Sequence, residues 1–297
     1  CPMKLYAALT QRSHFEYWRN NELPEVNFWR QATAQFRALE RHDPFVFISR
    51  MEKGAPRRVM GVAFFHQFSV LPAMEAWHVF KEKNGASTRD DFLRQVRTAR
   101  DKAAKPVQRD PDIGCIALVN TVFFNDSDFL TVPADMSPRM VTGKRYDIDD
   151  EPLAGTLWEE IRATAEVYDK VRPEEEQVFA AEPDTYQTSY KANIRVGQSS
   201  FRMALIEAYG GKCAITGDQT LPILEAAHIQ DHAKGGPLIV ANGLLLRTDF
   251  HRLFDRGYIG IDENGCLRFS ADFRLRFPDA RDYLRYDGRP ITRPQHT

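Results

Sequence analysis

Short apolar runs broken by Gly, Pro and Asn set the pattern of the first half of the chain. MKLYAAL (3–9), FVFI (45–48), VMGVAFFHQFSV (59–70) and DIGCIALVNTVFF (112–124) are rich in β-branched and aromatic residues, which predicts strands. Between them, helical spacing marks SHFEYWRNN (13–21), with Ser13 as N-cap, and MEAWHVFKEKNG (74–85), stopped by Gly85. Thr88 caps a further helix, RDDFLRQVRTARDK (89–102). EVNFWRQ (25–31) reads as a loop with two aromatics, and segment 138–147 is expected to close the sheet. The sum is an α+β domain: a small barrel-like sheet with helices inserted.

The second half reads differently. LAGTLWEEIRATAEVYDKV (153–171) has helical periodicity and is stopped by Arg172-Pro173, after which PEEEQVFAAEPD is an acidic linker. SSFRMALIEAYGG (199–211) is a helix capped by Ser199 or Ser200 and ended by Gly210-Gly211. LPILEAAHI (221–229) fits a strand, Gly235-Gly236-Pro237 a turn, and Leu244, Leu245 and Leu246 lead a helix. GYIGIDENGCLRFS (257–270) is a hairpin turning at Glu263-Asn264-Gly265. The expected organisation is a domain over 1–150, a helical acidic connector over 151–185 and a second domain over 186–297.

Composition narrows the classes. The 297 residues are 43% apolar, enough for two cores. Four Cys at positions 1, 115, 213 and 266 suit no disulfide framework and point to a reducing cytoplasm. No apolar run is long enough to span a bilayer, and no signal peptide precedes Met3, the expected natural start. The net charge of −1 divides into +6 over 1–146, −10 over 147–185 and +3 over 186–297. Two mildly basic bodies flank an acidic connector, and phosphate binding needs only local basic faces.

The chemistry concentrates in LEAAHIQDHAKGGPLIVANGLLLRTDFHRLFD (224–255). His228 ends the expected strand, where its imidazole can face a cleft and take a proton from water. Asn242 suits a loop clamp or helix cap. His251 and Asp255 are four residues apart on one helical face, so imidazole and carboxylate can share one cation. A base on a strand and two metal donors on a helix suit metal-assisted phosphodiester cleavage. His232 lies in the turn, and solvent exposure or a phosphate contact is expected of it.

These residues resemble the HNH endonucleases, whose core is the ββα-metal finger, in the subgroup with "AAHI" and "NGLLLR…HRLFD". The resemblance implies a catalytic role for His228 as base and for Asn242, and metal binding by His251. Asp255 matches the further ligand of colicin-type nucleases. It implies a divalent cation, Mg2+ or Mn2+ in use, with Zn2+ or Ni2+ able to bind in crystals. The position before the base, where many members carry an Asp or His ligand, is Ala227 here. Glu225 and Asp249 are the candidates for a replacement. No Cys-x-x-Cys occurs, so no structural zinc is expected. Arg202, on the helix before the finger, is a candidate phosphate contact.

KLYAAL, the FW segment and "PFVFISR…RRVMGVAFF" followed by a helix resemble the PUA-like modules (EVE, ASCH, YTH, SRA). That resemblance implies a reader of a modified or flipped base between aromatic faces. Asn27, Phe28, Trp29 and Trp77 are the candidate base pocket, with Tyr17 and Trp18 behind them; Trp77, beside Phe80 on an apolar helical face, equally suits a core. Together the resemblances imply an endonuclease like type IV restriction enzymes, cutting double-stranded DNA that carries 5-methyl- or 5-hydroxymethylcytosine, as a monomer or homodimer. One alternative is an HNH nuclease whose first domain senses phosphorothioate, another modified base, RNA or a small signal. The other is a DNA-binding protein without catalysis.

Overall fold

The computed structural model describes residues 3–50, 55–103, 106, 108–136, 140–169, 197–230 and 236–295. It divides into two compact units, Cys1–Ser200 and Phe201–Thr297.

The first unit is built on strands β1 (Lys4–Leu9), β2 (Glu25–Arg30), β3 (Pro44–Ile48), β4 (Arg58–Pro72), β5 (Asp112–Phe123), β6 (Leu130–Thr131) and β7 (Gly143–Asp147). They pair in the order β2-β5-β4-β3-β1-β7, with β6 added to β4. Only β1 and β3 run parallel; the other pairs are antiparallel. The expected barrel is not closed: among the described residues β2 and β7 end the sheet path and do not pair with each other. Register shifts in β4 between Val62 and Phe64 and between Phe65 and Gln67 bend the sheet without closing it.

EVNFWR, expected as a loop, is the edge strand β2, paired with β5 from Glu25↔Val119 to Arg30↔Gly114. Its polar residues hid the strand, because an edge needs only partial burial. Helices α1 (Arg12–Asn20), α2 (Ala73–Phe80) and α3 (Arg89–Lys102) follow the expected periodicities. Thr88 caps α3, its hydroxyl accepting from Asp91 N, while α1 is preceded by Gln11 without a side-chain cap and includes Ser13.

Helix α4 (Pro152–Asp169), expected as a connector, belongs to this unit's core. Ala154, Leu157, Trp158 and Ile161, at i, i+3, i+4 and i+7, are buried with Phe47, Phe123 and Phe124. The helix's acidic outer face made it look like a linker. The boundary therefore falls after residue 150, and residues 170–196, with the acidic stretch expected there, lie outside the described residues.

Because Ile161 is fully buried, Ile161→Ala is expected to destabilise the first unit by about 2–5 kcal/mol. Urea unfolding of the full chain measures it; a loss below about 1 kcal/mol, the surface range, would return α4 to a linker role.

Candidate active site

The second unit begins in helix α5 (Gln198–Ala208) and continues through β8 (Leu224–His228), β9 (Gly243–Arg247) and α6 (Thr248–Asp255). The hairpin β10 (Ile259–Ile261) and β11 (Leu267–Phe269), then helices α7 (Ala271–Arg276) and α8 (Arg281–Leu284), complete it. The three leucines expected to lead a helix form β9 instead. All are buried, and a short strand covered on both faces reads as a continuous apolar run, as a buried helix segment does. The local unit is therefore strand–loop–strand–helix.

β8 and β9 are antiparallel, in register from Leu224↔Arg247 to His228↔Gly243. Residues 221–223, expected as strand, are a 3-10 turn. α6 starts at the residue after β9 and buries Phe250 in a cluster with Ile259, Leu267, Phe269 and Phe273. His251 and Asp255 then lie toward β8.

The structure brings three of the expected residues together. Glu225 Oε2 lies 2.8 Å from His251 Nδ1. Asp255 Oδ2 lies 3.3 Å from His251 Nε2. The two carboxylates thus take opposite ring nitrogens. Among the described residues no three His, Cys, Asp or Glu side chains converge on a point that could hold a metal ion, and this arrangement explains why. What remains is a two-donor edge, Nε2 and the Asp255 carboxylate, half open to solvent. An imidazole nitrogen and a carboxylate, with water filling the remaining positions, fit a labile divalent cation. Glu225 is placed to accept from Nδ1–H, the tautomer that would leave the Nε2 lone pair for a cation. Its side chain shares a β8 face with Ala227, two residues on.

Asp249, the other candidate ligand, is turned away. Arg247 holds it through two bonds of 2.8 and 2.6 Å, and these hydrogen bonds lower the Asp249 pKa from its ordinary value.

His228 ends β8 on the face opposite Glu225, by strand alternation. Its ring stacks on Phe201 with centroids 4.5 Å apart and planes at 16°. It is half-buried and directly precedes the loop. Asn242 clamps that loop: Oδ1 accepts from Gln230 N at 2.8 Å, and Nδ2 donates to Gln230 O and Pro237 O, both at 3.0 Å. The backbone adds Ile229 N to Asn242 O at 2.9 Å. A Cβ on Gly236 would overlap the Gln230 carbonyl oxygen, so only glycine passes there. His232 lies outside the described residues.

Arg202 donates from Nη2 to Leu224 O at 3.1 Å, bracing the start of β8. In the tail Arg274 pairs with Asp287, and Arg276 with Asp272.

The expected base pocket is dispersed. Asn27 is fully buried and donates to Asn84 Oδ1 at 2.9 Å. Phe28 packs on Phe45, centroids 4.9 Å apart. Trp77 is buried and stacked on Phe92 at 6.0 Å. Trp29 is half-buried, with Nε1 donating to Asn84 O at 3.1 Å. Trp18 is buried and Tyr17 half-buried.

Comparison with known proteins adds one family. A family model described as HNH endonuclease matches residues 213–262, a span that contains Glu225, His228, Asn242, His251 and Asp255. Among solved structures, a mutant ASCH protein of Zymomonas mobilis is similar over 52% of this chain and 96% of its own, at 7% identity and a TM-score of 0.33. No curated protein matches the sequence.

Asn242→Ala leaves Gln230 N–H and two carbonyls without their partner and is expected to cost about 2–3 kcal/mol. Amide exchange at Gln230 is expected to accelerate markedly; unchanged protection would mean that Asn242 does not hold the loop.

Proposed function

We propose that this chain is a metal-dependent DNA endonuclease whose second unit hydrolyses phosphodiesters. The observation that carries the reading is the Glu225–His251–Asp255 arrangement within a segment similar to the HNH endonucleases.

His228 is the base in this scheme. Its ring is held by Phe201 and its backbone by the loop that Asn242 clamps, so its position is set before substrate arrives. As a neutral imidazole it takes the proton from the attacking water as the water oxygen bonds to phosphorus and the 3′ oxygen leaves. His251 Nε2 and Asp255 would hold the divalent cation, Mg2+ or Mn2+, whose charge would neutralise the developing negative charge on phosphate and leaving oxygen. Glu225 keeps His251 in the required tautomer and ring orientation.

The first unit, in this reading, supplies selectivity for DNA carrying 5-methyl- or 5-hydroxymethylcytosine. Its sequence resemblance to base-reading modules supports that step, and so does the frequent use of aromatic surfaces to receive an extruded base.

His228→Ala is expected to abolish nicking of a modified plasmid in Mg2+ or Mn2+ while DNA affinity stays within about twofold, a change well under 1 kcal/mol. Loss of both together would remove His228 from the chemistry. EDTA is expected to stop wild-type cleavage.

Glu225 has its own test. Glu225→Ala is expected to weaken Mn2+ binding by about 10–100-fold, whereas Glu225→Gln, which keeps an acceptor for Nδ1–H, recovers most of it. Titration calorimetry reads both. Equal loss in the two variants would make Glu225 a direct ligand and not an orienting group.

A further inference from the structure

Helix α6 carries three stripes. Phe250, Leu253 and Phe254 turn inward, Phe250 buried and the other two packed on the same cluster. His251 and Asp255 take the second stripe, with Glu225 against the ring. The third is Thr248, Arg252 and Arg256, each four residues after the last, so they form one row along the helix. Arg256 follows the last helical residue but keeps a helical backbone, its N–H donating to Arg252 O at 3.3 Å. Thr248 fixes where the row begins: its hydroxyl donates to Ile223 O at 3.0 Å, just before β8. The row therefore starts at the strand pair and runs beside the edge formed by His251 and Asp255. At about 100° per residue, Arg252 stands about 60° around the helix from Asp255.

Other arginines of this unit are tied. Arg247 is held by Asp249 and Asp218, Arg268 by Asp262, Arg274 by Asp287 and Arg276 by Asp272. Arg252 and Arg256 are exposed, and among the described residues neither guanidinium has an ion-pair or hydrogen-bond partner. Asp255, three residues after Arg252, stands at ion-pair spacing, yet its carboxylate goes to His251. Two like charges four residues apart weaken a helix. The backbone dipole favours cations at this end and offsets part of that cost, but it gives the guanidinium groups no acceptor.

A phosphate strand supplies that acceptor. Glu225 and Asp255 give the edge two negative charges, which repel a strand, and Arg252 and Arg256 set two positive charges beside them. Each guanidinium fork matches a pair of phosphate oxygens. Four residues advance a helix by about 6 Å, close to two phosphate steps along one strand at about 3.4 Å each. We propose that Arg252 and Arg256 grip two phosphates of one DNA strand, next to the phosphate presented to the His251–Asp255 edge. The proposal rests on the nuclease reading given above and extends it from the chemistry of one phosphate to the placement of the strand.

The test uses the full chain in EDTA, so that binding is read without cleavage. Affinity for a labelled duplex, plain or 5-methylated at cytosine, is measured by fluorescence anisotropy over a range of NaCl concentrations. Wild type is compared with Arg252→Ala, Arg256→Ala, the double variant and Arg252→Lys. Arg281→Ala, which removes an exposed arginine of α8, is the control, and circular dichroism confirms folding of each. Each alanine variant is expected to flatten the slope of log K against log salt by about 0.9, and the double variant by about 1.8, because each phosphate contact releases its own counterions. The change is expected to be equal on both duplexes, since backbone contacts carry no sequence information. Arg252→Lys keeps the charge and is expected to keep the wild-type slope, as is Arg281→Ala. Unchanged slope in the double variant overturns the row, even where its binding is weaker, which would make the arginines structural. An equal fall in Arg281→Ala, the mark of a general positive field, overturns it as well. Wild type that shows the expected slopes yet cuts neither duplex in Mg2+ or Mn2+ supports the row and sinks the proposed cleavage alone. Wild type that binds neither duplex overturns the row together with the reading it rests on.

Discussion

The antiparallel register between β8 and β9 is the constraint on which the site depends. Side chains alternate along a strand, so a slip of one residue would turn Glu225 away from α6 and bring Ala226 in its place. Burial fixes the register: Leu224 and Ala227 on β8 and three consecutive leucines on β9 are removed from solvent. α6 begins at once after β9 and is anchored by Phe250. The strand pair and the helix anchor together deliver a glutamate from one element to the imidazole of another, 26 positions apart in sequence. The loop between the strands is held by a different device, the Asn242 amide.

The arrangement separates tasks that a three-ligand cluster would merge. Glu225 and Asp255 approach His251 from opposite nitrogens, so in the proposed scheme one carboxylate orients the ring while the other shares its donor edge. This also answers for Ala227. The chain lacks a donor directly before His228, and the same strand face carries a carboxylate two residues earlier, Glu225, set on His251 Nδ1. Asp249, which sequence makes an equal candidate, is neutralised by its neighbour Arg247.

Some of this was legible in the sequence and some was not. His251 and Asp255 at i, i+4, the loop role of Asn242 and the His228 position at a strand end are local relations, and spacing carries them. Glu225 was legible only as one of two acids, because its role requires the β8–β9 register. The three leucines of β9 mimic a helix start, since a fully buried strand has no alternation. α4 hid its core face behind acidic residues, and β2 hid a strand behind polar ones.

The central claim is that His251 offers Nε2 to a cation while Glu225 keeps Nδ1 protonated. Nitrogen-15 spectra of histidine-labelled full-length protein, recorded during titration with diamagnetic Zn2+, read the two nitrogens of that ring separately. The account predicts that the His251 Nε2 resonance moves to a metal-coordinated position while Nδ1 retains its proton. Movement of Nδ1 instead, or a His251 ring indifferent to the metal, would contradict it.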